Sequence, residues 1–284
     1  MAVALLAAAA ALTAACRPRA PAAEPVLIAD GSTGDGLHFE ASGQGRAVVL
    51  VHGTALDLRV WDPQMPALRP RFFVVRYDQR SHGESAMQTT RSRSHEDLRN
   101  LLDTLGIVSV SVVGLSSGAA VAVDFALAYP RRVEKLVLAA PMVHGYVPTE
   151  RPAWQRELAL AVQGGDAERA ARIFADSPLM SLKDSGSAQF VRQIVLDNAK
   201  LWRDTIGPPE PLSPPALGRL NELRVPLLVV VGADDDADIR RMADTLTAVV
   251  PGAQQVLIPG TGHIVNVAAA GSFNDLLVSF LGRP

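Results

Sequence analysis

Six short apolar runs constrain this chain more than any other feature: AVVLV (47–51), RFFVVRY (71–77), VSVSVVG (108–114), KLVLAA (135–140), PLLVVVG (226–232) and QQVLIPG (254–260). They are rich in β-branched residues and short for helices, and they read as strands covered on both faces. Helical patterns separate them. Ser94 with Asp97 three residues on has the form of a capping box, and Leu98, Leu101, Leu102 and Leu105 follow at helical spacing. SGAAVAVDFALAYP and GSFNDLLVSFLG supply further helices. Strand then helix, repeated, predicts an open, mostly parallel, doubly wound α/β sheet. Ahead of it, VLIADG and LHFEASGQG predict two short strands forming an antiparallel edge.

The alternation stops between Pro141 and Leu223. AWQRELALAV, DAERAARIFA and AQFVRQIVLDNAKLW are helical in pattern, and GPPEPLSPPALG is too rich in proline for regular structure. Residues 141–222 are therefore expected to form a helical cap, a lid inserted into a core of residues 26–140 and 223–284.

With 284 residues, 48% of them apolar and 20% charged, the chain can bury one core and carry such an insertion. A formal net charge of −2 without a long basic cluster argues against a nucleic-acid partner and leaves a small molecule as the expected one. The six histidines are scattered and there is one cysteine, so no zinc-ligand spacing exists and no metal is expected. That cysteine, Cys16, closes MAVALLAAAAALTAAC, an apolar stretch too short to span a bilayer comfortably. Residues 1–25 are expected to be a signal peptide ending in a lipobox-like LTAAC, followed by the Pro/Ala tether RPRAPAAEP. On that reading Cys16 is lipidated, and the protein is exported and held at a membrane in the bacterial periplasm or at the cell surface. The alternative is a cytoplasmic protein with a misassigned start.

The chemistry centres on VVGLSSGAA (112–120). A strand running through Gly114-x-Ser116-x-Gly118 into a helix of small residues has the form of a nucleophile elbow, which presents Ser116 above the sheet. Gly114 and Gly118 would remove side chains that collide with the neighbouring strand and helix. Ser117 would act through its backbone N–H, at a helix N-terminus suited to developing negative charge. Three other strand ends carry matching chemistry, at the edge where open parallel sheets build their sites. VVLVHGT puts the N–H of Thr54 where a second oxyanion donor is needed. LLVVVGADDDAD offers Asp234, Asp235, Asp236 and Asp238, and VLIPGTGHIV offers His263. Serine, then acid, then histidine is the chain order this architecture uses.

With HGTALDLRVWDPQMPAL, VVRYDQRSHGES, GLSSG, AYPRRVEKLVLAAP, LRVPLLVVVGADD and IPGTGH, the chain resembles the α/β-hydrolase fold family from about Val26 to Leu281. The likeness is to its serine esterases, enol-lactonases and cofactor-free haloperoxidases or perhydrolases. The resemblance implies an acid three residues past the strand-ending glycine, which selects Asp235. It departs at Ser81, where relatives carry glycine, a change expected to affect only a turn. The expected activity is hydrolysis of a small carboxylic ester or lactone through an acyl-enzyme on Ser116, His263 and Asp235, with Thr54 and Ser117 as oxyanion donors and no cofactor. Competing readings are a C–C bond hydrolase or perhydrolase on the same residues, and a receptor-like ligand-binding protein on a hydrolase scaffold.

The remaining candidates have plainer readings. His52 and His82 are expected to support turns, His95 to lie on an exposed helix start, His38 on an edge strand and His144, which opens the insertion, in a solvated loop, with contact to substrate as the alternative. Asp234, Asp236 and Asp238 are expected to solvate a turn and begin the next helix. Trp154 and Trp202 are candidates for the substrate pocket, with anchoring of the lid helices as the alternative.

Overall fold

The apolar runs become strands where helices cover them. The computed structural model describes residues 27–149 and 152–283. Its strands are β1 (Leu27–Ser32), β2 (His38–Gly43), β3 (Ala47–Val51), β4 (Phe73–Tyr77), β5 (Val110–Leu115), β6 (Val133–Ala139), β7 (Leu227–Gly232) and β8 (Gln254–Ile258). They form one sheet in the order β1-β2-β4-β3-β5-β6-β7-β8. The β1–β2 and β2–β4 pairs are antiparallel and the others parallel, so the antiparallel edge and doubly wound sheet read from the sequence are both present. Every residue of β5 and β7 is buried. β8 departs from the expectation of cover on both faces, because as the outermost strand it pairs only with β7 and leaves Gln254 and Leu257 exposed.

The helices are α1 (Met65–Leu68), α2 (Ser94–Thr104), α3 (Ser117–Ala128), α4 (Ala153–Gln163), α5 (Ala167–Ala175), α6 (Ser185–Asp197), α7 (Ala237–Val249), α8 (Val265–Ala268) and α9 (Ala270–Gly282). α3 is buried along almost its whole length, which suits its Ala- and Val-rich sequence and lets it pack on β3, β5 and β6. Between β6 and β7 the described residues hold α4, α5, α6 and 3-10 turns but no strand.

The capping box expected at Ser94 and Asp97 does not form. α2 begins at Ser94 with Arg93 as its cap residue, and Asp97 instead accepts hydrogen bonds from Arg80 at 3.0 and 3.1 Å. A charged partner across the fold outcompetes a local backbone donor. The expected lipidation site, Cys16, lies outside the described residues, as does the whole of 1–25. Among the described residues no helix is long and apolar enough to cross a membrane.

Candidate active site

Ser116 is held at the end of β5 with φ 56° and ψ −119°, a left-handed backbone region that a residue with a side chain enters only under tertiary constraint. Two close approaches provide it. A Cβ on Gly114 would stand 2.4 Å from the carbonyl oxygen of Gly118, inside the first turn of α3. One on Gly118 would stand 2.3 Å from the carbonyl oxygen of Val51 on β3. Both are impossible contacts, so strand and helix can meet this tightly only over glycine.

The turned-out Ser116 Oγ lies 2.8 Å from His263 Nε2, and His263 Nδ1 lies 3.0 and 3.1 Å from the two carboxylate oxygens of Asp235. Serine, histidine and aspartate come from the ends of β5, β8 and β7. All three are buried, with the His263 side chain 2% exposed and that of Asp235 fully covered. With a carboxylate against Nδ1, the imidazole proton sits there and Nε2 faces the serine as an acceptor.

The neighbouring aspartates do other things. Asp234 is exposed and pairs with Lys183 at 3.1 Å. Asp236 caps α7 through the N–H of Asp238, as expected of a residue beginning that helix. Asp238 corrects the turn-solvating reading: it accepts from Tyr146 Oη at 2.6 Å and from both the N–H and hydroxyl of Thr149 at 2.9 Å.

Beside Ser116, Thr54 and Ser117 lie next to each other, the Thr54 hydroxyl donating to Ser117 Oγ at 2.9 Å. Ser117 opens α3, so its N–H has no intrahelical acceptor. The backbone around Thr54 is fixed by two buried histidines. His52 Nδ1 donates to Gly53 O at 2.8 Å and its Nε2 accepts from Gln79 N–H at 2.9 Å. His82 donates from Nδ1 to Arg80 O and accepts at Nε2 from Ala55 N–H. Burial lowers both imidazoles, and with the nearby His52 it takes His82 down to about 3. Both rings therefore work as neutral donor–acceptor struts.

A cavity of about 400 Å³ begins at Thr54 and Ser117 and runs beneath the segment between β6 and β7. Trp202 lines it. Trp154 does not: it packs edge-on against Phe174, with ring centroids 6.0 Å apart, and so belongs to the helical packing and not to the cavity wall. Ser81 does more than shape a turn, since its hydroxyl donates to Asp204 at 2.7 Å and both residues line the cavity.

His95 is also corrected, whereas His144 stays in a loop with its side chain 36% exposed. His95 is 4% exposed, and His144 donates from Nδ1 to Asp124 Oδ2 at 2.8 Å. Both line the cavity, as does Asp124, which the sequence reading passed over. Its signal was there, one charged residue in the otherwise apolar helix SGAAVAVDFALA. His38 is buried on β2, its backbone N–H bonded to Ser85 Oγ. Among the described residues no three His, Cys, Asp or Glu side chains are grouped to hold a metal ion.

Comparison with known proteins agrees with this geometry at the level of family. The profile of the family described as Alpha/beta hydrolase family matches residues 48–276. A Caulobacter sp. (strain K31) protein, whose name carbamate hydrolase RutD is itself marked as provisional, is 30% identical over 88% of this chain and 97% of its own. The 2-hydroxy-6-oxononadienedioate/2-hydroxy-6-oxononatrienedioate hydrolase of Paraburkholderia phymatum is 30% identical over 91% of this chain and 95% of its own. Among solved structures, a thermophilic esterase from Thermogutta terrifontis superposes with a TM-score of 0.72 at 25% identity, covering 92% of this chain and 98% of that one. With the family profile spanning most of the chain and relatives 30% identical over nearly their whole length, the chain belongs to the alpha/beta hydrolase family and is a hydrolase.

Proposed function

We propose that the protein is a serine hydrolase that cleaves a small carboxylic ester or lactone. One observation carries this reading: the unbroken hydrogen-bonded chain from Ser116 Oγ through His263 to Asp235. His263 Nε2 takes the Ser116 proton as Oγ attacks the carbonyl carbon, and the Asp235 carboxylate stabilises the imidazolium that forms. The N–H groups of Thr54 and Ser117 receive the oxyanion. His263 then returns the proton to the departing alkoxide, leaving an acyl-Ser116. Water deprotonated by His263 attacks that acyl group and releases the acid, which restores the serine. The helical segment between β6 and β7 acts as the lid over the acyl or alcohol portion.

A reading on a dioate substrate, as in the Paraburkholderia relative's name, meets a specific obstacle. Asp124, Asp204 and Glu210 all line the cavity, and a second substrate carboxylate would enter among them. The same acyl-Ser116 attacked by peroxide in place of water would release a peracid and restore the serine, and that acceptor is distinguished by product analysis.

Labelling with a fluorophosphonate probe tests the nucleophile. Ser116 is expected to be the modified residue, with labelling abolished in Ser116→Ala and retained in Ser117→Ala. Persistent labelling in Ser116→Ala would sink the assignment.

A further inference from the structure

Ser117, Val121 and Asp124 are spaced four and three residues apart on α3, so they share one helix face, and all three line the cavity. Seven residues of helix separate Ser117 from Asp124, roughly 10 Å along the axis. The cavity thus runs from an oxyanion donor at one end to a carboxylate at the other.

That carboxylate is only half satisfied. Asp124 is 1% exposed; its Oδ2 accepts from His144 Nδ1 at 2.8 Å and from the Leu212 N–H at 2.9 Å. Its Oδ1 is buried and has no donor. A buried carboxylate oxygen without a partner is costly, and it calls for a reason.

Among the described cavity-lining residues no free cation compensates this carboxylate, although Arg219, which does not line the cavity, lies near enough to act on the Asp124 charge, and Glu210 is itself paired with Arg93 at 3.4 Å and Arg91 at 3.9 Å. Asp204 and Glu210 line the same space. Arg80, the one Lys or Arg among the described lining residues, is already committed to Asp97 at 3.0 Å and Asp35 at 2.6 Å. His95 comes within 4.0 Å of Asp124 Oδ2, but burial holds its imidazole below the ordinary histidine range, so it is neutral at neutral pH. Trp202 adds an aromatic surface of the kind that attracts cations.

We propose that Asp124 determines specificity by binding a protonated amine carried at the end of the substrate remote from the scissile carbonyl, about six bonds away. The proposal rests on ester or lactone hydrolysis at Ser116. The amine pairs with the Asp124 carboxylate at the cavity wall, with Asp204 nearby as a second negative charge. The competing account makes Asp124 only a staple, tying the His144 and Leu212 ends of the helical segment to α3.

Two matched ester pairs separate these accounts. One is the aryl esters of 6-aminohexanoate and heptanoate; the other is the acetates of 4-aminobutanol and pentanol. In at least one pair the amine is expected to raise kcat/KM about tenfold or more over its neutral isostere, the scale of one charge-assisted hydrogen bond. Asp124→Asn should erase that ratio, and Asp204→Asn should reduce it severalfold. A staple alone would lower both members of each pair equally and leave the ratio intact, which would overturn the proposal, as would neutral esters matching or beating the amines in both pairs.

Binding without turnover isolates the site from the chemistry. Calorimetric titration of Ser116→Ala with hexylammonium is expected to give binding at least about tenfold tighter than with hexanol, weakening as salt rises and lost on adding Asp124→Asn. Equal binding of the two probes would refute the amine site. Hexylammonium binding with no turnover of any ester would leave the amine site standing and remove the hydrolytic reading instead.

Discussion

The sheet ends and the helical segment above them are held in place by different physics. Ser116, Asp235 and His263 follow the ends of β5, β7 and β8; β5 and β7 are buried throughout, and the approaches at Gly114, Gly118 and Gly232 are so close that only glycine fits. The segment between β6 and β7 buries Phe174, Val191, Ile194 and Val195 in the core it shares with the sheet, and separate polar clamps join its remainder to that base. Asp238 holds Tyr146 and Thr149, while Asn198 Nδ2 donates to Asp57 and its Oδ1 accepts from Gly83 N–H. Asp124 holds His144 and Leu212, and Ser81 holds Asp204. A backbone-defined site cannot shift without unmaking strands, whereas clamps can be exchanged singly. Under the proposed function, the first region would fix the chemistry and the second would adjust selectivity.

The hardest blow to the sheet side is Asp235→Asn. An amide in place of the carboxylate sets a donor against His263 Nδ1, drives the imidazole proton toward Nε2 and leaves nothing to accept the Ser116 proton. On an activated ester kcat is expected to fall by as much as ~10⁴-fold, with the fold retained by circular dichroism. Asp234→Asn, which loses an exposed ion pair, and Asp236→Asn, which keeps a capping oxygen for α7 and loses only its charge, are expected to stay within about tenfold of wild type. A collapse in either of them with Asp235→Asn still active would move the acid and break the comparison at its base.

Acid should find the sheet side next, through the two histidine struts. His82 has a folded-state value of about 3 against an ordinary 6.5, so below 6.5 the unfolded chain binds the proton more readily. The stability it contributes is therefore complete above pH 6.5 and drains away as pH falls toward 3, on the order of a few kcal/mol in all. His52, lowered in the same direction, adds to the slope. Urea midpoints taken across that range should fall more steeply for wild type than for His82→Gln, whose amide oxygen can still accept from Ala55. Parallel slopes would show that the turn beneath Thr54 does not depend on a neutral His82.

This difference in physics also explains what a reader of the sequence can see. The elbow, the glycine-ended strands and the last histidine are local patterns, legible because each is written in a few consecutive residues. The clamps are pairs separated by up to 141 residues, as between Asn198 and Asp57, and no local pattern announces a partner that far away. His95 read as solvated because a first helical turn usually is, and nothing local marked a partner for His144; a buried aspartate on α3 faces them both. Asp97 read as a cap because its true partner, Arg80, lies on another element. Asp124 was the exception that could have been caught, since an isolated charge in an apolar helix is costly unless it has a use.

The smallest effects divide the helical segment itself, at its two tryptophans. Trp202 lines the cavity, and Trp154 reaches it only through Phe174, whose ring centroid lies 6.0 Å from Trp154 and 5.6 Å from Trp202. Trp202→Leu opens space against the substrate chain, so the ratio of kcat/KM between a long-chain ester and an acetate should change by about tenfold, the worth of a methylene or two in an apolar pocket. Trp154→Leu removes an edge-on aromatic contact worth about 0.5–1.5 kcal/mol, so its mark should be a melting temperature lowered by a few degrees. Its chain-length profile should follow wild type. An ester panel and thermal melts on both variants decide the matter. A chain-length shift in Trp154→Leu as large as that in Trp202→Leu would mean that the aromatic cluster moves as one body, and the segment would then be a stiffer roof than its separate clamps suggest.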